Sequence, residues 1–167
     1  TRYVEEQEYN LVKGLAANSG SPYLAAAMEI AYLCRARRSE VFALKVADCA
    51  SGGIRLRRGK GSEGEITQWT PRLREAVNQA KAINPNAPTP IGGAYLFHDA
   101  RGLPIKKNAF DSAWQRLMAK ARKAGVEAFT YHDLKARGVS NHKDNAGVSE
   151  RMKRVYVRKL KSVEATE

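Results

Sequence analysis

Apolar side chains recur at intervals of three and four along the first part of the chain, the repeat of helices that bury one face. Residues 4 to 17 carry such a stripe, and Ala17-Asn18-Ser19-Gly20 ends it. Ser21 and Pro22 supply an N-cap and a first-turn proline for a second helix, in which Leu24, Ala27, Met28 and Ala31 share a face. A third helix is predicted from Arg38 to Val46, with Val41 and Leu44 inward. At Gly53 the period changes to two: Ile54 and Leu56 alternate with Arg55 and Arg57, as a half-buried strand requires. Ile66 and Trp69 mark a second strand, and the glycine-rich stretch Gly59 to Gly64 reads as a hairpin tip bearing Lys60. Thr70-Pro71 opens a helix with Leu73, Ala76, Val77, Ala80 and Ile83 on one face, stopped by Asn84-Pro85. A loop over 84 to 93 precedes a short strand, Tyr95 to Phe97. Phe110, Ala113, Trp114, Leu117 and Ala121 define a long amphipathic helix, and two or three short helices fit beyond Tyr131. The pattern predicts a mixed fold, mainly α with a small antiparallel β-sheet that includes residues 53 to 58 and 64 to 69.

Length and charge narrow what such a fold is for. A chain of 167 residues forms one domain, residues 1 to 167, with a real core. Its 29 Lys and Arg against 17 Asp and Glu give a formal charge of +12, which points to a polyanionic partner, nucleic acid ahead of a membrane surface. No run of about 18 apolar residues is present to span a bilayer, and the N-terminus lacks the regions of a signal peptide. Cys34 and Cys49 make no disulfide framework. A cytoplasmic location is the expectation. Because the sequence opens at Thr1 in the run-up to a helix, it reads as a fragment of a longer protein.

Four small constellations carry chemistry, and each has a bland reading. Arg37-Arg38-Ser39-Glu40 is an ordinary helix start with an exposed ion pair, or an arginine set to hold an anion. Lys60 is a solubilising lysine or a mobile ammonium. His132 and Lys135, three apart, share a helix face as a surface pair or as part of a site. Tyr156 caps a core with its ring, or is a hydroxyl set among Lys153, Arg154 and Arg158. The three histidines, His98, His132 and His142, lack the spacing of a zinc pair, so neither a metal site nor a metal-dependent nuclease is expected.

Together and in this order, the four resemble the catalytic domain of the tyrosine recombinases, the phage-integrase family, over nearly the whole chain. The family's Arg-x-x-Glu box is matched by Arg37 to Glu40, its lysine-bearing hairpin by Arg57-Arg58-Gly59-Lys60-Gly61, its His-x-x-Arg box by His132 to Lys135, and its nucleophile by Tyr156. The resemblance implies site-specific DNA recombination, phage or prophage integration and excision, through a covalent 3′-phosphotyrosine. Catalysis would fall to Arg37, Lys60, His132, Lys135 and Tyr156, with no cofactor. Double-stranded DNA would be the partner, held by Arg55, Arg57, Arg58, Lys153, Arg154 and Arg158, and the full-length protein would carry N-terminal DNA-gripping domains and act as a homotetramer on DNA.

Two departures qualify that expectation. Lys135 stands where most members have arginine, and it carries charge without the two-pronged fork. Arg137 cannot replace it, being five residues from His132 and so on another face. Nine positions before Tyr156, where the family has histidine, stands Gly147. Either the histidine is lost, or loop residues between Ser140 and Val148 are absent and a break in the chain is expected there, or His142 stands in. A catalytically degenerate DNA-binding module is the alternative function.

Overall fold

A computed structural model of the chain describes residues 2–59, 64–142 and 161–167. Its centre is a helix, α2 (Tyr23–Leu33), in which every residue from Leu24 to Leu33 is buried. Such a helix is apolar all round because neighbours cover every side. It packs against α1 (Glu6–Ala17), α4 (Pro71–Lys81) and α6 (Tyr131–Asn141). The short α3 (Arg38–Phe42) and the long α5 (Lys107–Lys123) complete the helical layer, with Phe42, Phe97, Phe110, Trp114 and Tyr131 joined in one aromatic cluster. Burying each of these rings contributes about 1.5–3 kcal/mol.

Caps set the helix starts. Thr70 Oγ1 accepts from the Leu73 N–H at 3.1 Å, and Pro71 follows at the first helical position. At α6, Thr130 Oγ1 accepts from Asp133 N–H at 3.2 Å while Asp133 Oδ2 accepts from Thr130 N–H at 2.9 Å, a reciprocal pair that satisfies two orphan donors. The second helix departs from the expected cap. Pro22 itself is the N-cap residue, because the chain bends through Ser19, whose Oγ accepts from Ser21 N–H, and Ser21 is left outside the helix.

The sheet is mixed. β1 (Gly53–Leu56) pairs antiparallel with β2 (Glu65–Gln68), as the alternation predicts, and Trp69 falls just beyond it. On the other edge of β2 lies β3 (Lys161–Val163), parallel, with Ile66 opposite Ser162. Three residues are too few to show a period, so this strand left no signal in the sequence.

Two further expectations are corrected. The helix from Arg38 stops at Phe42, because the Leu44 carbonyl accepts from Leu96 N–H at 2.9 Å instead of continuing the helical ladder. The chain then makes one 3-10 turn, Val46–Asp48, whose start is held by Asp48 Oδ2 accepting from Lys45 N–H. Tyr95 to Phe97 is no strand but a single bridge, Lys45 opposite Tyr95, since the turn at Val46 removes the partner backbone. Beyond Tyr131, α6 is the helix found among the described residues. No described helix is long and apolar enough to cross a membrane.

Candidate active site

The site begins where α2 ends. Arg35 takes a positive φ of 52°, a conformation that non-glycine residues rarely adopt. Its buried guanidinium holds the turn by donating to the carbonyls of Leu33 at 3.0 Å and Glu164 at 3.2 Å and to Thr166 Oγ1 at 2.9 Å. The reversal delivers Arg37 to the N-cap of α3. There the Glu40 carboxylate reaches back and accepts from the Arg37 N–H at 2.7 Å. The Arg37 guanidinium is exposed and has no hydrogen-bond or ion-pair partner among the described residues.

Glu40 does not pair with Arg37, as a surface ion pair would have it. Its side chain is 7% exposed and takes the Arg58 guanidinium at 3.2 Å. Arg58 also grips both carboxylate oxygens of Glu65 at 3.2 Å and donates to the carbonyls of Arg35 at 2.9 Å and Cys34 at 2.5 Å. These bonds point into the protein, so Arg58, expected on DNA, serves here to tie the end of β1 and the start of β2 to the turn that presents Arg37. Arg55 and Arg57 face outward. Arg57 pairs with buried Asp48 at 3.0 Å yet is 66% exposed, and both arginines share with Arg37 a groove of about 160 Å³.

The second half of the site rides on α6. Tyr131 and Leu134 are buried, and Tyr131 donates its hydroxyl to the Ala27 carbonyl at 2.7 Å. These anchors fix the rotation of the helix, leaving His132 exposed and Lys135 half-buried. Neither side chain has a hydrogen-bond or ion-pair partner among the described residues. Burial, and then the neighbouring Arg37, push the Lys135 ammonium below the usual lysine range, with Arg58 adding to them and Glu40 and Glu65 opposing. Arg137 lies on the inner face, buried, donating to the Val4 carbonyl at 2.8 Å and stacked 4.4 Å from the Tyr32 ring. It belongs to the core.

Arg37 and His132 both line an open cavity of about 920 Å³, together with Phe110 and Trp114 of α5 and with Phe129. Arg38 stacks over the Phe110 ring at 5.9 Å. The fold thus brings Arg37, remote in sequence, to the cavity that His132 also lines, and near enough to Lys135 for its charge to act on that ammonium. His142, at the C-cap of α6, has its Nε2 at 3.0 Å from the Glu164 carbonyl. Lys60, Lys153, Arg154, Tyr156 and Arg158 lie outside the described residues, as do Gly147 and most of the stretch from Ser140 to Val148 in which a break was expected. Among the described residues no group of three or more His, Cys, Asp or Glu is placed to hold a metal ion.

Sequence reasoning did not single out Arg35, or Glu29 on the central helix. Glu29 sits inside the fold with its carboxylate on Arg72 at 2.7 and 2.9 Å, on Lys13 at 3.4 Å and on the Tyr9 hydroxyl. A lone charge in a ten-residue apolar run was the available signal.

The architecture, helices around a small three-stranded sheet with this basic neighbourhood at the α3 and α6 starts, is the tyrosine-recombinase catalytic-domain fold. It is similar to the XerA recombinase (TM-score 0.65, 20% identity, 84% of this chain and 49% of that one). It is similar also to the catalytic core of lambda integrase (0.64, 18%, 84% and 85%) and to the Tn1549 transposon integrase solved with circular intermediate DNA (0.67, 17%, 91% and 57%). The chain belongs to the phage integrase family, whose sequence profile matches residues 2–152. It spans about half the length of the XerA recombinase. Among curated protein sequences none matches it.

Proposed function

We propose that this chain is the catalytic domain of a site-specific DNA recombinase that cuts and rejoins strands through a covalent 3′-phosphotyrosine on Tyr156. The observation that carries the reading is the set Arg37, His132 and Lys135: three basic side chains from two elements, free of described partners, while Arg35, Arg58, Arg72 and Arg137 are all engaged within the fold. A phosphodiester gains charge on its non-bridging oxygens as a nucleophile attacks, and prearranged cations stabilise that growth. Arg37 offers the parallel pair of donors suited to a phosphate. His132 hydrogen-bonds the phosphate or takes part in proton transfer, and Lys135 adds charge. Lys60, Lys153, Arg154 and Arg158 enter by resemblance: Lys60 as an acid for the leaving 5′ oxygen, the others as cations that favour the phenolate and hold DNA. Arg55 and Arg57 extend the contact along the backbone.

Integration or excision of a phage or prophage element is the proposed context. Double-stranded DNA is the proposed partner, and a tetramer of the longer protein the proposed working form. Lambda integrase has been solved as a tetramer bound to a Holliday junction, which supports this. Lys135 and Gly147 favour a second reading, a degenerate DNA-binding module. A nicked duplex that traps the covalent adduct separates the two. We expect an adduct with the unmutated protein and none with Tyr156→Phe, whose DNA binding survives; binding without an adduct in both would leave the degenerate module.

A further inference from the structure

We propose that the cavity lined by Arg37 and His132 is a nucleotide subsite: it takes one unpaired base of the DNA strand whose phosphate those two side chains hold, and it favours a base with an exocyclic amino group. This rests on the recombinase reading above. An enzyme that rejoins a cut strand to a new partner needs bases near the cut to leave their old complements. A place on the protein for an unpaired base serves that step.

Three observations carry the inference. The first is continuity. Arg37 and His132 line one and the same cavity, whose volume of about 920 Å³ falls in the range of pockets that take small organic ligands, roughly 300–1,000 Å³. A phosphate held by those side chains therefore brings its own nucleotide to the cavity. The second is the lining. Phe110, Trp114, Met118 and Phe129 give apolar wall, while Arg122, and Arg38 at 5.9 Å from the Phe110 ring, are cations without an ion-pair partner among the described residues. Two carboxylates on the wall are already matched, Asp111 by Lys107 at 2.8 Å and Glu127 by Arg2 at 4.0 Å. Positive charge beside aromatic surface is the combination that holds unpaired strands.

The third observation selects the base. Asp133 also lines the cavity and is only 3% exposed. Its Oδ2 accepts from the Thr130 N–H at 2.9 Å, but its Oδ1 is buried with no hydrogen-bond partner among the described residues. Arg2, on the same wall, spends its donors on the Glu8 carboxylate and the Glu127 carbonyl. A buried acceptor without a donor is costly, and an N–H from a ligand relieves it. The amino group of cytosine, adenine or guanine is such a donor, as where acidic side chains accept from cytosine N4. Thymine offers only an imino N–H set between two carbonyl oxygens, which a carboxylate repels. A ligand that is anionic at one end, flat and apolar in its body and an N–H donor at the other end is a nucleotide of the amino-bearing kind.

Single-stranded tetranucleotides of deoxycytidine and of thymidine are the probes. Binding is followed by NMR at the indole N–H of Trp114, which donates to the Phe129 carbonyl at 3.2 Å and so reports from the cavity wall. The chain has two tryptophans, and Trp69→Phe identifies the signal. We expect the deoxycytidine probe to shift that signal and to bind about tenfold more tightly than the thymidine probe. Asp133→Asn keeps an oxygen for the Thr130 N–H and offers the cavity an amide N–H in place of an acceptor, so the preference should vanish or reverse. Gln115→Phe, on the exposed part of the lining and away from the α6 caps, should fill the cavity and weaken both probes. Equal affinity of the unmutated chain for the two probes, a cytosine preference that Asp133→Asn leaves unchanged, or binding that Gln115→Phe does not weaken overturns the proposal. The trapped-adduct assay reports on the other reading separately. An adduct without base preference removes the subsite and keeps the recombinase; no adduct from the unmutated chain overturns the recombinase reading, and a cytosine preference found beside it would still show that the cavity binds a base.

Discussion

Gly138 of α6 lies directly against the Tyr32 carbonyl of α2: a β-carbon at position 138 would stand 2.3 Å from that oxygen, closer than real atoms approach. The helix bearing His132 and Lys135 therefore rests on the central helix through a residue with no side chain. Gly138→Ala forces the two apart and should cost about 1–3 kcal/mol. Gly14, in the middle of α1, has nothing within 4 Å of its would-be β-carbon. Gly14→Ala should stabilise by about 0.5–1 kcal/mol. Urea melts of both variants check the contrast, and equal effects would show that helix contact does not govern position 138.

Arg58 and Arg55 are near neighbours in sequence with opposite duties. Removing Arg58 leaves the buried Glu40 carboxylate without its guanidinium and the half-buried Glu65 with Arg35 alone, at 3.6 Å, so Arg58→Ala should destabilise by about 3–5 kcal/mol. Arg55 is exposed and has no described partner. Arg55→Ala should change stability by no more than about 0.5 kcal/mol while weakening DNA binding, and should lower the slope of log affinity against log salt by about 1. Thermal melts beside a salt series of binding curves measure both.

That contrast marks how far the sequence could be read. Period placed α1, α2, α5 and the pairing of β1 with β2, and period together with a cap placed α4, because each rule is local: Thr70 and Pro71 announce α4 wherever it packs. The neighbourhood of Arg37, His132 and Lys135 was legible only as motif order, through resemblance. What stayed hidden depends on partners remote in sequence. Arg57 and Arg58 look alike in the string RLRRG; the tertiary positions of Glu40 and Glu65 decide that one turns in. β3 was unreadable for the same reason, since its identity as a strand comes from β2.

Acid stability should report Glu29. Burial raises its pKa, but bonds from Arg72 and Tyr9 and the charges of Arg72 and Lys13 outweigh that, so the folded value lies below the ordinary one. A depressed folded pKa stabilises fully above the unfolded value, about 4.3, and that stabilisation is lost as pH falls through the lower folded value. Unfolding midpoints in urea between pH 3 and 7 should fall on acidification. Glu29→Gln, less stable at pH 7 because Arg72 loses its carboxylate, should show a shallower acid slope. An unchanged slope would place the acid sensitivity on other carboxylates.

The start of α6 gives the last prediction, because it separates a small stability effect from a larger functional one. His132 is the second residue of the helix, within the turn that the Thr130 and Asp133 caps hold together. Thr130→Ala removes the hydroxyl that accepts from Asp133 N–H and should cost about 0.5–2 kcal/mol. Thr130→Ser keeps the acceptor and should cost much less. If His132 contacts a bound phosphate, fraying of this turn loosens that contact before the fold is lost. DNA binding or adduct formation by Thr130→Ala should then fall well below that of Thr130→Ser at a temperature where both are folded by circular dichroism. Equal function in the two folded variants would remove His132 from the phosphate site.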